Sequence, residues 1–129
     1  MTEQPKKILV VEDEGAMRDI VTHKLQMGGF IVVQAVDGQE GLDMFAKEHP
    51  DLVLLDLMLP KVDGFGVLEK IRSTKDPKLA DTPVIILSNI WNDQDILKVR
   101  ALKISDYMMK AYFTTEQILS TVKKVLHLE

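Results

Sequence analysis

The sequence contains no cysteine, which excludes disulfides, thiol nucleophiles and thiolate metal sites. It has no apolar run long enough to span a membrane, and its first five residues, MTEQP, lack the apolar core of a signal peptide. We therefore expect a cytoplasmic location and no membrane contact. Acidic residues outnumber basic ones, and the net charge of −4 argues against direct nucleic-acid binding by this domain. The 129 residues are enough for one globular domain with its own core.

Short apolar runs alternate with helical patterns along the chain. The runs are residues 8–11, 30–35, 52–56, 84–87 and 106–109. An amphipathic pattern follows each of them, which makes five βα units. This alternation predicts a parallel, doubly wound sheet with right-handed crossovers and helices on both faces. The third run is almost wholly apolar, as expected of a strand in the middle of that sheet.

The helices are placed by their apolar spacing, their caps and their breakers. The first, roughly residues 16–27, has apolar side chains at helical spacing: Met17, Ile20, Val21 and Leu25. The fourth is capped by Asn92 or Asp93 and is expected to turn four residues inward: Ile96, Leu97, Ala101 and Leu102. Residues 73–83 are polar and contain two prolines, so they are predicted as a loop.

Four strand ends carry polar or charged side chains, and parallel strands end at a common edge of the sheet. The residues are Glu12 and Asp13, Asp56, Ser88 and Lys110. Each has a structural explanation when taken alone, such as a helix cap or a solvated surface lysine. Together, three carboxylates in one crevice repel each other unless a cation lies between them, and oxygen ligands suit a hard ion such as Mg²⁺. A lysine and a hydroxyl beside that ion would form a cradle for a phosphoryl group.

Two longer motifs contain these acids. The runs ILVVED at residues 8–13 and DLVLLDLMLPKVDG at residues 51–64, with Ser88 and Lys110 at the next two strand ends, resemble the receiver domains of two-component response regulators. The resemblance covers essentially the whole chain, residues 1–129, and implies a flavodoxin-like (βα)5 fold with strand order 2-1-3-4-5. By its length the chain resembles the single-domain chemotaxis type, with no output domain attached.

The resemblance implies a signalling phosphoprotein. Asp56 would be the phosphoacceptor of a phosphorelay, taking its phosphoryl group from a histidine kinase or a phosphotransfer protein. Lys110 and the Ser88 hydroxyl would bind phosphoryl oxygens, and Tyr107 would turn inward when Ser88 is drawn to the phosphate. The switch would change the face formed by the fourth helix, fifth strand and fifth helix. A downstream protein target, or a second copy in a phosphorylation-dependent dimer of an otherwise monomeric protein, would recognise that face.

The resemblance also implies a Mg²⁺ (or Mn²⁺) cofactor. Asp13, Asp56 and the backbone carbonyl of Met58 would be ligands, and Glu12 would act directly or through water. The domain would catalyse only its own phosphorylation and slow autodephosphorylation. Slow loss of the phosphate is expected because Met58 and Ile90, which flank the phosphoryl position in the family, are apolar and cannot orient a water molecule.

Several positions depart from the family pattern. Ala111 stands after the lysine where proline is usual, and we expect a trans peptide bond there with a relocated loop. Asn89 replaces a small residue, and its side chain could crowd or hydrogen-bond the phosphoryl site. Lys103 and Ile104 stand where Gly-Ala is usual, so the connection into the fifth strand should differ. Trp91 either packs against the start of the fourth helix or is exposed as an anchor for a partner.

Other functions stay open at this point. A protein-interaction module of the same fold that does not depend on phosphate is the main alternative. The changes at Asn89 and Ala111 motivate it, whereas the complete set of acids, hydroxyl and lysine argues against it. A phosphatase with an aspartyl nucleophile usually has a second carboxylate two residues later, where this chain has Met58. A flavin-binding role would rest on fold analogy alone.

Overall fold

The computed structural model describes residues 4–90 and 92–128. Its five strands form one parallel sheet in the order β2-β1-β3-β4-β5, which confirms the predicted fold. The strands are β1 Lys7–Val11, β2 Ile31–Ala35, β3 Leu52–Leu55, β4 Val84–Ser88 and β5 Asp106–Met109. The connection after β1 runs to one side of the sheet and the connection after β3 runs to the other. The carboxyl ends of these two neighbouring strands therefore flank the crevice where such folds bind their ligands.

Five main helices connect or follow the strands. They are α1 Gly15–Met27, α2 Gly38–Glu48, α3 Gly64–Arg72, α4 Asp93–Arg100 and α5 Thr115–Val125. Asn92 caps α4 by accepting a hydrogen bond from the Asp95 N–H, and Thr114 caps α5 in a reciprocal pair with Gln117. Both caps satisfy N–H groups that a helix start otherwise leaves unpaired.

The core consists of two layers, one on each face of the sheet. Alternate side chains of β3 enter opposite layers, and all four of its residues are buried. Val53 and Leu55 join one layer, whereas Leu52 and Leu54 join the other. Because β3 is covered on both faces, all four of its side chains are apolar. The charged side chain of Asp56 comes only where the strand ends.

Two apolar residues predicted to face the core are exposed. Leu97 is 67% exposed and Ile20 55% exposed. Ala101 is also exposed and lies beyond the end of α4 at Arg100. The residue of α4 that is fully buried is Val99. Ile96 and Leu102 are half-buried and Leu102 packs against the core, so the prediction for this helix was wrong at Leu97 and Ala101 only. With only eight residues, α4 has too little apolar spacing to decide which face meets the sheet.

The connection predicted as a loop, residues 73–83, contains a one-turn helix, Pro77–Ala80. Asp76 caps it by accepting a hydrogen bond from the Lys78 N–H at 3.0 Å. Proline usually breaks a helix, but at the first helical position, where Pro77 stands, the missing N–H costs nothing and the fixed φ is already helical.

The α4–β5 connection is held from outside by Arg72. Lys103 has a φ of 61°, in the left-handed region that favours glycine. The Arg72 guanidinium donates to the carbonyl oxygens of Leu102 at 2.7 Å and Lys103 at 3.1 Å. The same guanidinium also donates to the carbonyl oxygens of Ala80 and Thr82. The Arg72 side chain therefore connects this turn to the one-turn helix.

Candidate functional site

The carboxyl ends of β1, β3, β4 and β5 bring the five predicted side chains to one edge of the sheet: Glu12, Asp13, Asp56, Ser88 and Lys110. Glu12, Asp56 and Ser88 are 4%, 5% and 0% exposed. The backbone hydrogen bonds extend the sheet by one residue at this edge. The Asp56 N–H donates to the Val11 carbonyl, and the Glu12 N–H donates to the Ala35 carbonyl, each at 3.1 Å. Both acids are therefore positioned by the sheet itself.

Three carboxylates form a cluster at the centre of this edge. Carboxylate oxygens of Glu12, Asp13 and Asp56 all lie within 4.8 Å of one another. Two of these residues are buried and Asp13 is exposed, so a cation held here would have protein oxygens on one side and water on the other. That donor set fits Mg²⁺ or Mn²⁺, which take few carboxylates and retain water ligands.

Lys110 lies between two of the acids. Its Nζ donates to Asp56 Oδ2 at 2.7 Å and also forms an ion pair with Glu12 Oε1. Burial lowers the pKa of Lys110, but the hydrogen bonds to Asp56 and Glu12 outweigh it and leave the pKa above its ordinary value. The ammonium group is therefore charged at neutral pH. For Glu12, burial dominates and raises the pKa, and the hydrogen bond from Lys110 opposes that shift.

The remaining oxygen of Asp56 is held by its own loop. The Met58 N–H donates to Asp56 Oδ1 at 3.1 Å, so both carboxylate oxygens have a donor. The Met58 side chain is 63% exposed beside the acids. Glu12 is oriented in a similar way, because its Oε2 accepts from the Glu14 N–H at 3.1 Å.

Ser88 and Tyr107 meet at the backbone of Ile90. The Ser88 hydroxyl accepts from the Ile90 N–H at 3.4 Å, and the Tyr107 phenol donates to the Ile90 carbonyl. Burial, followed by the charges of Asp95 and Asp56, raises the pKa of Tyr107, so the phenol keeps its proton. Within the described residues the Ser88 hydroxyl makes no hydrogen bond to Asp56 or Lys110. Ser88 ends the strand that pairs with β3, so it lies at the same edge of the sheet as Asp56, but its hydroxyl is bonded to its own loop.

Asn89 and Ala111, two of the residues that depart from the family pattern, are hydrogen-bonded to each other. Asn89 Oδ1 accepts from the Ala111 N–H at 3.2 Å, so the Asn89 side chain bonds to backbone beside Lys110. The part of the chain that the structure describes contains no cis peptide bond, and β5 continues into a 3-10 turn, Lys110–Tyr112. The trans bond expected before Ala111 is confirmed. Trp91 lies outside the described residues.

Sequence reasoning missed two residues that shape the site. Arg18 Nη1 donates to the Glu12 carbonyl at 2.9 Å and the Asp13 carbonyl at 3.4 Å, which fixes the loop that carries both acids. Gly64 lies against Asp56, because a Cβ on Gly64 would be 2.3 Å from the Asp56 carbonyl oxygen. A glycine eight residues after a strand-end acid was a usable signal, since glycine permits close backbone contact.

A flavodoxin-like parallel sheet with acids, a lysine and a hydroxyl at its carboxyl edge defines a class of signalling module rather than a classical enzyme. The response regulator receiver domain family matches residues 8–123, and the chain belongs to that family. It therefore belongs to the phosphoacceptor signalling domains of two-component systems, which interact with histidine kinases and bind Mg²⁺ at an acidic pocket.

Curated relatives and solved structures agree with this assignment. The DNA-binding dual master transcriptional regulator RpaA of Synechocystis sp. is 40% identical over 120 residues, which cover 93% of this chain and 48% of RpaA. The probable transcriptional regulator ycf27 of Porphyridium aerugineum is 38% identical over 123 residues, covering 95% and 49%. The chain thus spans about half the length of these relatives. RpaA is named as a DNA-binding regulator, so the expected absence of direct nucleic-acid binding concerns only the receiver domain contained in these 129 residues.

Among solved structures, the chemotaxis protein CheY4 of Vibrio cholerae has a TM-score of 0.84 at 27% identity, covering 94% of this chain and 98% of CheY4. A CheY-like response regulator receiver domain protein of Methanospirillum hungatei JF-1 has a TM-score of 0.86 at 25% identity, covering 96% of each chain. These neighbours support the predicted resemblance to chemotaxis regulators. No helix in the described ranges has both the length and the hydropathy needed to cross a membrane.

Proposed function

We propose that Asp56 is the residue that accepts the phosphoryl group, from a histidine kinase or a phosphotransfer protein. The observation that carries this assignment is the 2.7 Å hydrogen bond from Lys110 Nζ to Asp56 Oδ2 within the acidic cluster. Both buried acids of the cluster, Glu12 and Asp56, have one carboxylate oxygen on Lys110 and the other on a backbone N–H. Asp56 is favoured as the acceptor because it stands at the end of the central strand β3, in the motif at residues 51–64 that resembles receiver domains. The phosphoryl group would therefore be transferred to a carboxylate that is already oriented.

Glu12, Asp13 and Asp56 would hold Mg²⁺ or Mn²⁺, with the Met58 carbonyl as a further ligand. The bound ion would neutralise charge on the phosphoryl oxygens. In the transfer, a bond forms between an Asp56 carboxylate oxygen and phosphorus while the bond from phosphorus to the donor imidazole breaks. Lys110, released from that carboxylate, would bind a phosphoryl oxygen and supply positive charge where the negative charge accumulates. The chain would catalyse this transfer to itself and the slow hydrolysis that follows.

The switch would begin at Ser88. A phosphoryl group on Asp56 offers a stronger acceptor than any the Ser88 hydroxyl has in this structure, and Ser88 would leave the Ile90 N–H to donate to it. The β4–α4 loop would move with Ser88, and Tyr107 would follow. The changed face of α4, β5 and α5 would then bind a downstream protein or a second phosphorylated copy.

We further propose that residues 1–129 act as one receiver unit located in the cytoplasm, where a kinase would donate its phosphate. The family match over residues 8–123 supports the first part. The acidic surface charge supports a protein partner rather than direct nucleic-acid contact by this unit.

Incubation with acetyl phosphate and Mg²⁺, followed by intact-mass measurement, tests the assignment. The wild type should gain one phosphoryl group, and Asp56→Ala should gain none. Asp63→Asn is the control, because Asp63 lies in the same segment but caps α3 and is not one of the clustered acids, and it should be modified like the wild type. A gain that survives Asp56→Ala, or no gain in the wild type, would favour the phosphate-independent interaction module.

A further inference from the structure

A side-chain hydrogen bond continues the pairing of β4 and β5 beyond the last backbone pair. The backbone register ends with Ser88 opposite Met109. Asn89 is the first residue after β4, and Ala111 is the second residue after β5. The Oδ1 of Asn89 accepts a hydrogen bond from the N–H of Ala111. The bond therefore joins the residue after Ser88 to the residue after Lys110, and both of those neighbours supply groups to the proposed phosphoryl site.

This bond exists because residue 111 is not proline. Proline would fix φ in the backbone that follows Lys110 but would have no N–H to donate. Alanine leaves that φ free, and the Asn89 side chain restrains the backbone instead. The restraint matters because lysine has four rotatable side-chain bonds, and its ammonium group must lie on Asp56 at 2.7 Å. The position of the Lys110 backbone decides which of its rotamers can place Nζ on Asp56, so a shift of that backbone would reduce the fraction of time in which the pair is formed.

We propose that Asn89 is a positioning residue for Lys110, acting through its hydrogen bond to the Ala111 N–H. The inference rests on the proposed function, since it assigns Asn89 a part in phosphorylation of Asp56. Asn89 is neutral, so its contribution is geometric: it adds no charge to a site that already has three carboxylates and one lysine.

The first test measures the rate of phosphorylation by acetyl phosphate. Asn89→Ala should lower the rate about two- to tenfold, the range that corresponds to one hydrogen bond of ordinary strength. Its Mg²⁺ affinity, measured by calorimetry, should be unchanged because Asn89 contacts none of the three acids. Asn92→Ala is the control: Asn92 is the same residue type in the same loop and caps α4, so its loss should leave the rate unchanged.

A second variant identifies the partner of Asn89. Ala111→Pro removes the N–H donor, so Asn89→Ala should have no further effect on the rate in the Ala111→Pro background. An equal effect of Asn89→Ala in both backgrounds would overturn the inference, because it would mean that Asn89 acts by another route.

Amide hydrogen exchange provides a measurement that does not depend on phosphorylation. Protection of the Ala111 N–H should be lost in Asn89→Ala and retained in Asn92→Ala. If the wild type is never phosphorylated, the proposed function fails. If the wild type is phosphorylated on Asp56 and Asn89→Ala matches it in rate, only the role of Asn89 fails.

Discussion

The Tyr107 phenol donates a hydrogen bond to the carbonyl oxygen of Ile90, two residues after Ser88. This contact ties β5 to the β4–α4 loop in the unphosphorylated protein. The Ser88 hydroxyl also bonds to Ile90, because it accepts from the Ile90 N–H. The backbone of Ile90 is therefore hydrogen-bonded to both of the residues proposed to switch. A movement of Ser88 toward Asp56 would thus displace the Ile90 backbone and break its hydrogen bond with Tyr107.

Tyr107→Phe removes the phenol hydroxyl and its hydrogen bond to the Ile90 carbonyl, and keeps the aromatic ring. We expect the free energy of unfolding of the unphosphorylated protein to fall by about 0.5–1.5 kcal/mol, the usual net contribution of one hydrogen bond. In the presence of Mg²⁺ and beryllofluoride, a mimic of the phosphoryl group, the loss should shrink because the contact is already broken. Denaturant unfolding with and without the mimic measures both values. An equal loss in both states would show that Tyr107 does not take part in the switch.

The sheet order and the composition of the site were predictable because each depends on strong local signals. Apolar runs such as residues 52–55 identify central strands, and parallel strands must end at one edge, which brings Asp56 and Lys110 together whatever the loops do. Contacts made by loops were not predictable. The hydrogen bond from Ala111 to Asn89 depends on the trajectory of two turns, and no sequence spacing encodes it.

The inward face predicted for the fourth helix was wrong at Leu97 and Ala101, and two substitutions test the correction. Val99→Ala should lower the free energy of unfolding by about 1–3 kcal/mol, because two buried methyl groups are lost and a cavity remains. Leu97→Ala removes a larger side chain that is mostly exposed, and should cost less than about 0.5 kcal/mol. Thermal or urea unfolding of both variants distinguishes the two faces, and the reverse order of costs would restore the original prediction.

Gly64 links the fold to the site. A Cβ there would be 2.3 Å from the Asp56 carbonyl oxygen and 2.5 Å from the Leu57 Cα, and neither backbone atom can move without moving Asp56. Gly64→Ala should therefore cost about 1–3 kcal/mol or more in unfolding free energy and also slow phosphorylation.

Gly15→Ala is the control for that substitution. Gly15 begins α1, and the nearest atom to its added Cβ is an Arg18 nitrogen at 3.6 Å, an ordinary contact distance. Alanine is the better helix former, so this variant should be as stable as the wild type or more so. A Gly64→Ala protein as stable as the Gly15→Ala protein would mean that the loop after Asp56 adapts freely.

The lifetime of the phosphorylated form should be long, with a half-life of minutes or more at neutral pH. Hydrolysis needs a water molecule oriented at phosphorus, and the exposed Met58 side chain next to Asp56 has no group that can hold one. Met58→Asn supplies an amide at that position and should shorten the half-life. Loss of label from the phosphorylated protein measures both rates, and a wild-type half-life of seconds would refute the prediction.

The central claim is that four strand ends converge on a divalent cation so that Asp56 can carry a labile phosphoryl group. A crystal structure of the protein with Mg²⁺ and beryllofluoride tests it most directly. We expect beryllium bonded to an Asp56 carboxylate oxygen, the cation contacting Asp13 and Asp56, and Lys110 and Ser88 turned to the fluorides. Beryllium on a different residue, or a cation bound away from these acids, would contradict it.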